Sequence, residues 1–211
     1  MPTTADSYLG WVRLAVQGDR AALDRLLLHH FDELVDYISA RLPDTLRPVV
    51  NVDDLLQETY LRAIRGIRKF EIRDADAFGG WLKVIADRQI HTAVTARRAR
   101  KRSGRLRKHG VQSPGRKSSI AQLVDMLADP RETPQRAVQR KEAVRALHVT
   151  LAGLPDSQRT AVRLHHLDGM TVDETASALD CTKGAVRGLL QRARLSLRDA
   201  MGQSSRWFAR K

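Results

Sequence analysis

A chain of 211 residues, 42% hydrophobic and 29% charged, holds apolar matter for one or two modest cores and is too apolar to stay disordered. Its apolar runs stop far short of the roughly 20 residues of a membrane span, and Met1-Pro2-Thr3-Thr4 has neither the basic start nor the apolar stretch of a secretory signal. The single cysteine, Cys181, excludes an internal disulfide and a C-x-x-C zinc pair, so a soluble chain in a reducing compartment is expected.

The net charge of +13 is unevenly spread. Residues 1–96 carry −2, residues 97–134 carry +8 and residues 135–211 carry +7. Concentrated basic charge favours a polyanion partner, because each neutralised phosphate releases counterions. Ribosomal and membrane-surface proteins share that trait, so charge alone does not settle the partner. The near-neutral first part points to a different task, such as docking to protein.

Strand signals reduce to Val49-Val50-Asn51-Val52, too short for a sheet, and residues 49–113 are free of proline. Apolar periodicity predicts helices over 7–17, 20–42, 53–69, 76–102, 135–152, 157–168, 172–179 and 183–201. In the third, capped by Asn51 or Asp53, the residues Leu56, Tyr60, Ile64 and Ile67 are expected to bury. Asp53, Asp54, Gln57, Glu58 and Arg65 stay polar and available to a partner, as on any amphipathic helix. In the fourth, Phe78, Trp81, Leu82, Ile85 and Ala86 follow helical spacing, and cations then accumulate from Arg97 to Arg102. From Ser103 to Thr133 the chain collects glycine, proline, serine and cations. That is linker composition, with a short helical turn open to Ile120–Leu127.

The C-terminal part reads as a helix-turn-helix. Thr171-Val172-Asp173-Glu174 fits a capping box, Asp180-Cys181-Thr182 makes the turn, and Thr182 can cap the next helix. At 100° per residue from Lys183, the residues Val186, Leu189, Leu190, Ala193 and Leu197 cluster on one side. Lys183, Arg187, Gln191, Arg194 and Arg198 form an adjacent cationic, amide-bearing stripe. A helix that enters the major groove needs this division, since Arg and Lys reach guanine edges and Gln reads adenine. A surface helix with solvated arginines is the plainer alternative.

Catalytic readings fare worse. Gly110-x-x-x-x-Gly115-Arg116-Lys117-Ser118 approaches a phosphate loop, but an extra Arg precedes the lysine and no strand leads into it. His29-His30 and His165-His166 are adjacent pairs that point about 100° apart, not the i,i+4 pair of zinc helices. No nucleophile, base and orienting group can be assembled. No metal and no cofactor are expected.

Leu151–Met201 resembles the fourth conserved region of bacterial sigma factors, which reads the minus-thirty-five promoter element. The likeness lies in Leu154-Pro155 followed by Arg159, the Gly169 turn, Glu174-x-Ala176 and the run Gln191-Arg192-Ala193-Arg194. Val52–Phe70, with its D-D-L-x-Q-E-T order, resembles the core-polymerase docking helix of the second conserved region. Asp74–Arg102 resembles that region's promoter-melting and minus-ten-reading segment. Relatives commonly carry Asn and Asp where Arg88 and Thr92 stand, a departure that leaves the bases read open.

The resemblance covers about 6–102 and 136–201, in the layout of the extracytoplasmic-function group of the sigma-70 family. It implies an all-α chain of two small helical domains, a sigma region 2-like bundle over 6–102 and a sigma region 4-like helix-turn-helix over 135–202. A basic flexible linker over 103–134 joins them, and 203–211 forms a tail. It further implies a non-catalytic, cytoplasmic specificity subunit that binds core RNA polymerase and directs promoter recognition, melting and initiation. Core binding falls to Asp53, Asp54, Gln57, Glu58 and Arg65. Minus-ten and linker contacts fall to Phe78, at a pocket edge with the Gly79-Gly80 turn, and to Lys83, Arg88, Arg97, Arg98, Arg100 and Lys101. Minus-thirty-five contacts fall to Thr182, Lys183, Arg187, Gln191 and Arg194. The partners implied are core polymerase and promoter DNA, with room for an anti-sigma factor, and the chain acts as a monomer on polymerase.

Overall fold

Proline spacing and apolar periodicity translate into nine α-helices, and no strand, among the described residues. The computed structural model describes residues 4–74, 76–102, 120, 123–124 and 136–208, of which 4–7, 100–102, 136–140 and 200–208 are backbone only. Two compact units, Met1–Arg107 and Lys108–Lys211, divide the chain. The all-α expectation is met.

In the first unit, α1 (Thr4–Val16), α2 (Arg20–His29), α3 (Phe31–Arg41), α4 (Val52–Gly66) and α5 (Ala77–Arg102) enclose one core. Leu26, Leu27, Leu34, Ile38, Leu56, Tyr60, Phe78 and Leu82 fill it. Asn51 starts α4 by accepting from the Asp53 amide at 3.1 Å, and Asp53 and Asp54 complement the positive end of the helix dipole. The buried Tyr60 hydroxyl donates to Leu27 O at 3.0 Å, as a buried polar group must find a partner. On α2, Arg20 Nε lies 2.8 Å from Asp24 Oδ1. Burial nonetheless pushes the Asp24 carboxyl up to about 6, against the opposing pull of Arg20.

Three departures from the expected elements have local causes. The predicted helix over 20–42 breaks at His30, whose φ and ψ are −92° and 7°. The His30 ring is held by the Tyr8 hydroxyl at 2.7 Å and Glu33 Oε2 at 3.0 Å. It also lies on Phe78, with ring centroids 5.7 Å apart. That seat takes the His30 backbone out of register with the helices on either side. The helix predicted over 53–69 ends at Gly66 and tightens into a 3-10 turn, Ile67–Lys69. The last helix runs on to Phe208, into the stretch expected as tail.

The second unit contains α6 (Arg136–Gly153), α7 (Asp156–Val162), α8 (Val172–Ala178) and α9 (Lys183–Phe208). Arg159 closes the end of α6, donating through Nη1 to Leu154 O at 2.9 Å and pairing through Nη2 with Asp156. After α7 the chain widens into a π turn, Arg163–Leu167, and leaves it through Gly169 at φ +72°. Ile120, Leu123 and Val124, inside the expected linker, are helical and belong to this unit's core. The remainder of 103–135, including the phosphate-loop-like stretch, lies outside the described residues.

Gly79 tests the His30 seat. A Cβ there would sit 2.9 Å from His30 Cε1, and the ring is held on both nitrogens. Gly79→Ala is expected to destabilise the first unit by about 1–3 kcal/mol in urea unfolding. In a His30→Ala background the same change should turn neutral or stabilising, because only the helix-propensity gain of up to about 1 kcal/mol remains.

Candidate nucleic-acid interface

The turn between α8 and α9 is built from short-range hydrogen bonds. Thr171 Oγ1 accepts from the Glu174 amide at 3.2 Å, and Glu174 Oε2 accepts from the Thr171 amide at 2.8 Å. This capping box starts a helix only seven residues long. The chain then reverses through Asp180 at φ +49°, a left-handed conformation that a short polar side chain tolerates. The Cys181 amide donates to Ala176 O at 3.0 Å, and Cys181 itself is half-buried. Thr182 Oγ1 then accepts from the Ala185 amide at 3.1 Å and caps α9.

Helix α9 divides as its periodicity predicts. Val186, Ala193 and Leu197 are buried, and Leu189 and Leu190 are half-buried. Lys183, Arg187, Gln191, Arg194 and Arg198 are exposed along the adjacent stripe. Lys183 Nζ is also 2.8 Å from Asp173 Oδ2, which ties the first turn of α9 to α8. Thr182 is thus a cap and Lys183 an inter-helix tie in addition to being surface groups. Sequence reasoning missed this tie and the role of Arg159. It also missed the π turn, where His165 Nδ1 lies 2.7 Å from Met170 O. Burial pushes the neighbouring His166 below the ordinary histidine value, and the charges of His165 and Arg194 add to that effect.

On α4 the five polar candidates fall on the surface the core leaves open. Leu55, Leu56, Thr59, Tyr60 and Ala63 are buried. Asp54, Glu58 and Arg65 are exposed, while Asp53 and Gln57 are half-buried. Ile64, expected to bury, stays half-exposed. It lines a cleft of about 260 Å³ with Ala15, Leu23, Ile67 and the arginines Arg20, Arg65 and Arg68.

Helix α5 redistributes the remaining candidates. Phe78 is 1% exposed and packs on His30, Phe70 and Trp81. Its ring is core, and the pocket-edge expectation is corrected, because the i, i+3, i+4 apolar spacing that singled it out is the spacing of a buried face. Gly79 and Gly80 form the first helical turn of α5 rather than a loop. Trp81 is half-buried, with its ring 5.0 Å from that of Phe70. Lys83 Nζ pairs with Glu33 Oε1 at 2.5 Å and lies 5.6 Å from the Tyr37 ring centre, so it braces α5 against α3. Lys83, with His30, holds the Glu33 carboxyl below its ordinary value. The Tyr37 hydroxyl donates to Asp87 Oδ2 at 2.8 Å in the same seam. Arg88, Arg97 and Arg98 are exposed; the Arg100 and Lys101 side chains lie outside the described residues. Thr92 donates its hydroxyl to Arg88 O at 2.8 Å.

Among the described residues no group of three or more His, Cys, Asp or Glu is arranged to hold a metal ion, and no helix is long and apolar enough to cross a membrane. Two helical units, one with a capped helix-turn-helix and a cationic outer stripe, define a nucleic-acid-binding class of protein. The family model described as ECF sigma factor matches residues 8–203, and the chain belongs to that family. The RNA polymerase sigma-H factor of Pseudomonas aeruginosa is 26% identical over 185 residues, 88% of this chain and 89% of that protein. The ECF RNA polymerase sigma-E factor of Escherichia coli K12 is 26% identical over 181 residues, 84% of this chain and 85% of that protein. The structure of CnrH in complex with the cytosolic domain of CnrY aligns at 20% identity over 92% of this chain and 96% of that one. The TM-score of that alignment is 0.32. As a member of the family, the chain directs RNA polymerase in transcription initiation.

Thr182 separates a capping role from a DNA contact. Thr182→Ala should lower the stability of the second unit by about 1 kcal/mol in urea unfolding without DNA, and Thr182→Ser should keep the parental value.

Proposed function

We propose that the two units divide the work of a promoter-specificity subunit. The α4 surface carrying Asp53, Asp54, Gln57, Glu58 and Arg65 docks on core RNA polymerase. Exposed Arg88, Arg97 and Arg98, with Arg100 and Lys101 following in sequence, run along DNA near the minus-ten element. The stripe Lys183, Arg187, Gln191 and Arg194 reads the minus-thirty-five element from the major groove.

The observation that carries this reading is α9 itself. One row is sunk in the core, the adjacent row is exposed and cationic, and the N-terminal end is capped and tied to α8. Arg and Gln on such a row match guanine and adenine edges. Linking two weak readers raises effective concentration, so joint affinity exceeds that of either alone. The chain acts as a single copy on an asymmetric promoter, in the cytoplasm, and performs no covalent step. Restraint by an anti-sigma partner belongs to the same proposal on the strength of family resemblance alone.

Three measurements test it. Run-off transcription with sigma-free core polymerase should give defined start sites only when this chain is added; a need for another sigma would make it a regulator instead. Charge reversal at Asp54 and Glu58 should weaken core binding tenfold or more while leaving affinity for upstream-element DNA unchanged. Arg187→Ala should reduce discrimination at that element by about 1–3 kcal/mol, read as the affinity ratio for cognate over scrambled duplex. Equal loss on both duplexes would assign Arg187 to phosphate.

A further inference from the structure

Ile120, Leu123 and Val124 lie in a stretch whose composition reads as a tether, yet they are 3%, 3% and 4% exposed. All three are helical, and their i, i+3, i+4 spacing puts them on one face. They share a core with Leu147 and Leu151 of α6, Leu154 just beyond it, Val162 of α7, and Ala193 and Leu197 of α9. Ala193 and Leu197 stand on the inner side of α9, on the row adjacent to the exposed stripe of Gln191, Arg194 and Arg198.

We propose that Ile120, Leu123 and Val124 are positioning residues of the DNA-reading helix, forming a strap that sets the angle at which α9 presents its cationic stripe. This rests on reading α9 as the upstream-element reader. Protein interiors are packed at crystal density and relax in part around a void, so a void behind Ala193 and Leu197 draws the helix that bounds it toward the gap. A small tilt of α9 carries Arg187 and Gln191 away from bidentate geometry while leaving phosphate attraction nearly intact. Loss of the strap therefore costs discrimination before it costs affinity.

The test uses the full-length chain and a duplex selected by the unmodified chain from a random pool. The double variant Ile120→Asn, Leu123→Asn should lower the affinity ratio for selected over scrambled duplex tenfold or more, with the salt dependence on scrambled duplex unchanged. Val124→Ala should move the ratio two- to threefold in the same direction, and Leu123→Met alone should stay within threefold of the parent. Parental discrimination in the double variant overturns the proposal. Hydrogen exchange on the unmodified chain provides a measurement that no folding failure can obscure. The amides of Ile120, Leu123 and Val124 should exchange as slowly as those of α6 and α9, and fast exchange overturns the strap whether or not α9 reads DNA. Failure to select any preferred duplex would count against the reading of α9, and the positioning role would fall with it. Slow exchange in that case would still establish the strap's seat.

Discussion

Burial of one row of α9 orients the rest of the second unit. Val186, Ala193 and Leu197 leave water by facing the helices packed against α9, namely α6, α7 and α8, and helical geometry then fixes where the neighbouring rows go. The cationic stripe is the consequence of that burial, and Lys183 at its first turn is also paired with Asp173 of α8. The short-range devices around it remove the remaining freedom. The Thr171–Glu174 box holds the start of α8, Asp180 turns the chain, and Lys183 ties the two helices together. A helix of seven residues has little stability in isolation, so α8 exists because its ends are bonded and its inner side is packed.

Much of this was readable from residue order, because the information is local. Capping boxes, apolar rows at a 3.6 period and the turn before Thr182 all act within a few residues, and each falls where its spacing puts it. Leu56, Tyr60 and Ile67 were legible for the same reason, whereas Ile64 stays half-exposed and Leu55, Thr59 and Ala63 bury without having been expected. The misreadings arise where distant residues decide. Phe78 carries an aromatic ring in a segment that resembles a DNA-contacting one, but Phe70, Trp81 and His30 enclose it. Lys83 is a lone cation among the apolar residues Trp81, Leu82, Val84 and Ile85, and only the fold brings Glu33 to it from α3. His30 interrupts a continuous apolar period because Tyr8, more than twenty residues earlier, captures its ring. The helical turn left open over Ile120–Leu127 is met at Ile120, Leu123 and Val124, but their packing in one core with α6, α7 and α9 depends on distant residues and was not legible.

The two units also differ in how they use charge. In the first, opposite charges face each other across helix seams, as in Lys83 with Glu33 and Arg41 with Asp87, and such contacts brace one helix against another. The second unit leaves its cations along α9 facing outward with few acidic neighbours. That contrast matches the sequence-level split between a near-neutral N-terminal part and a basic remainder. Paired charge across helix seams and outward-facing cationic charge thus occur in one chain, each on its own core.

The buried carboxyl of Asp24 gives the first unit an unusual response to acidity. Folding raises its proton affinity from the ordinary 3.8 to about 6, so between those values the native chain holds a proton that the unfolded chain has released. The stabilisation is fully present below the lower value and fades as pH climbs through the upper one. Glu33 behaves oppositely, since its lowered carboxyl loses its contribution only in stronger acid, below the usual glutamate range. Above the range where Glu33 begins to lose its contribution, mild acidification therefore strengthens the contribution that Asp24 makes to the first unit.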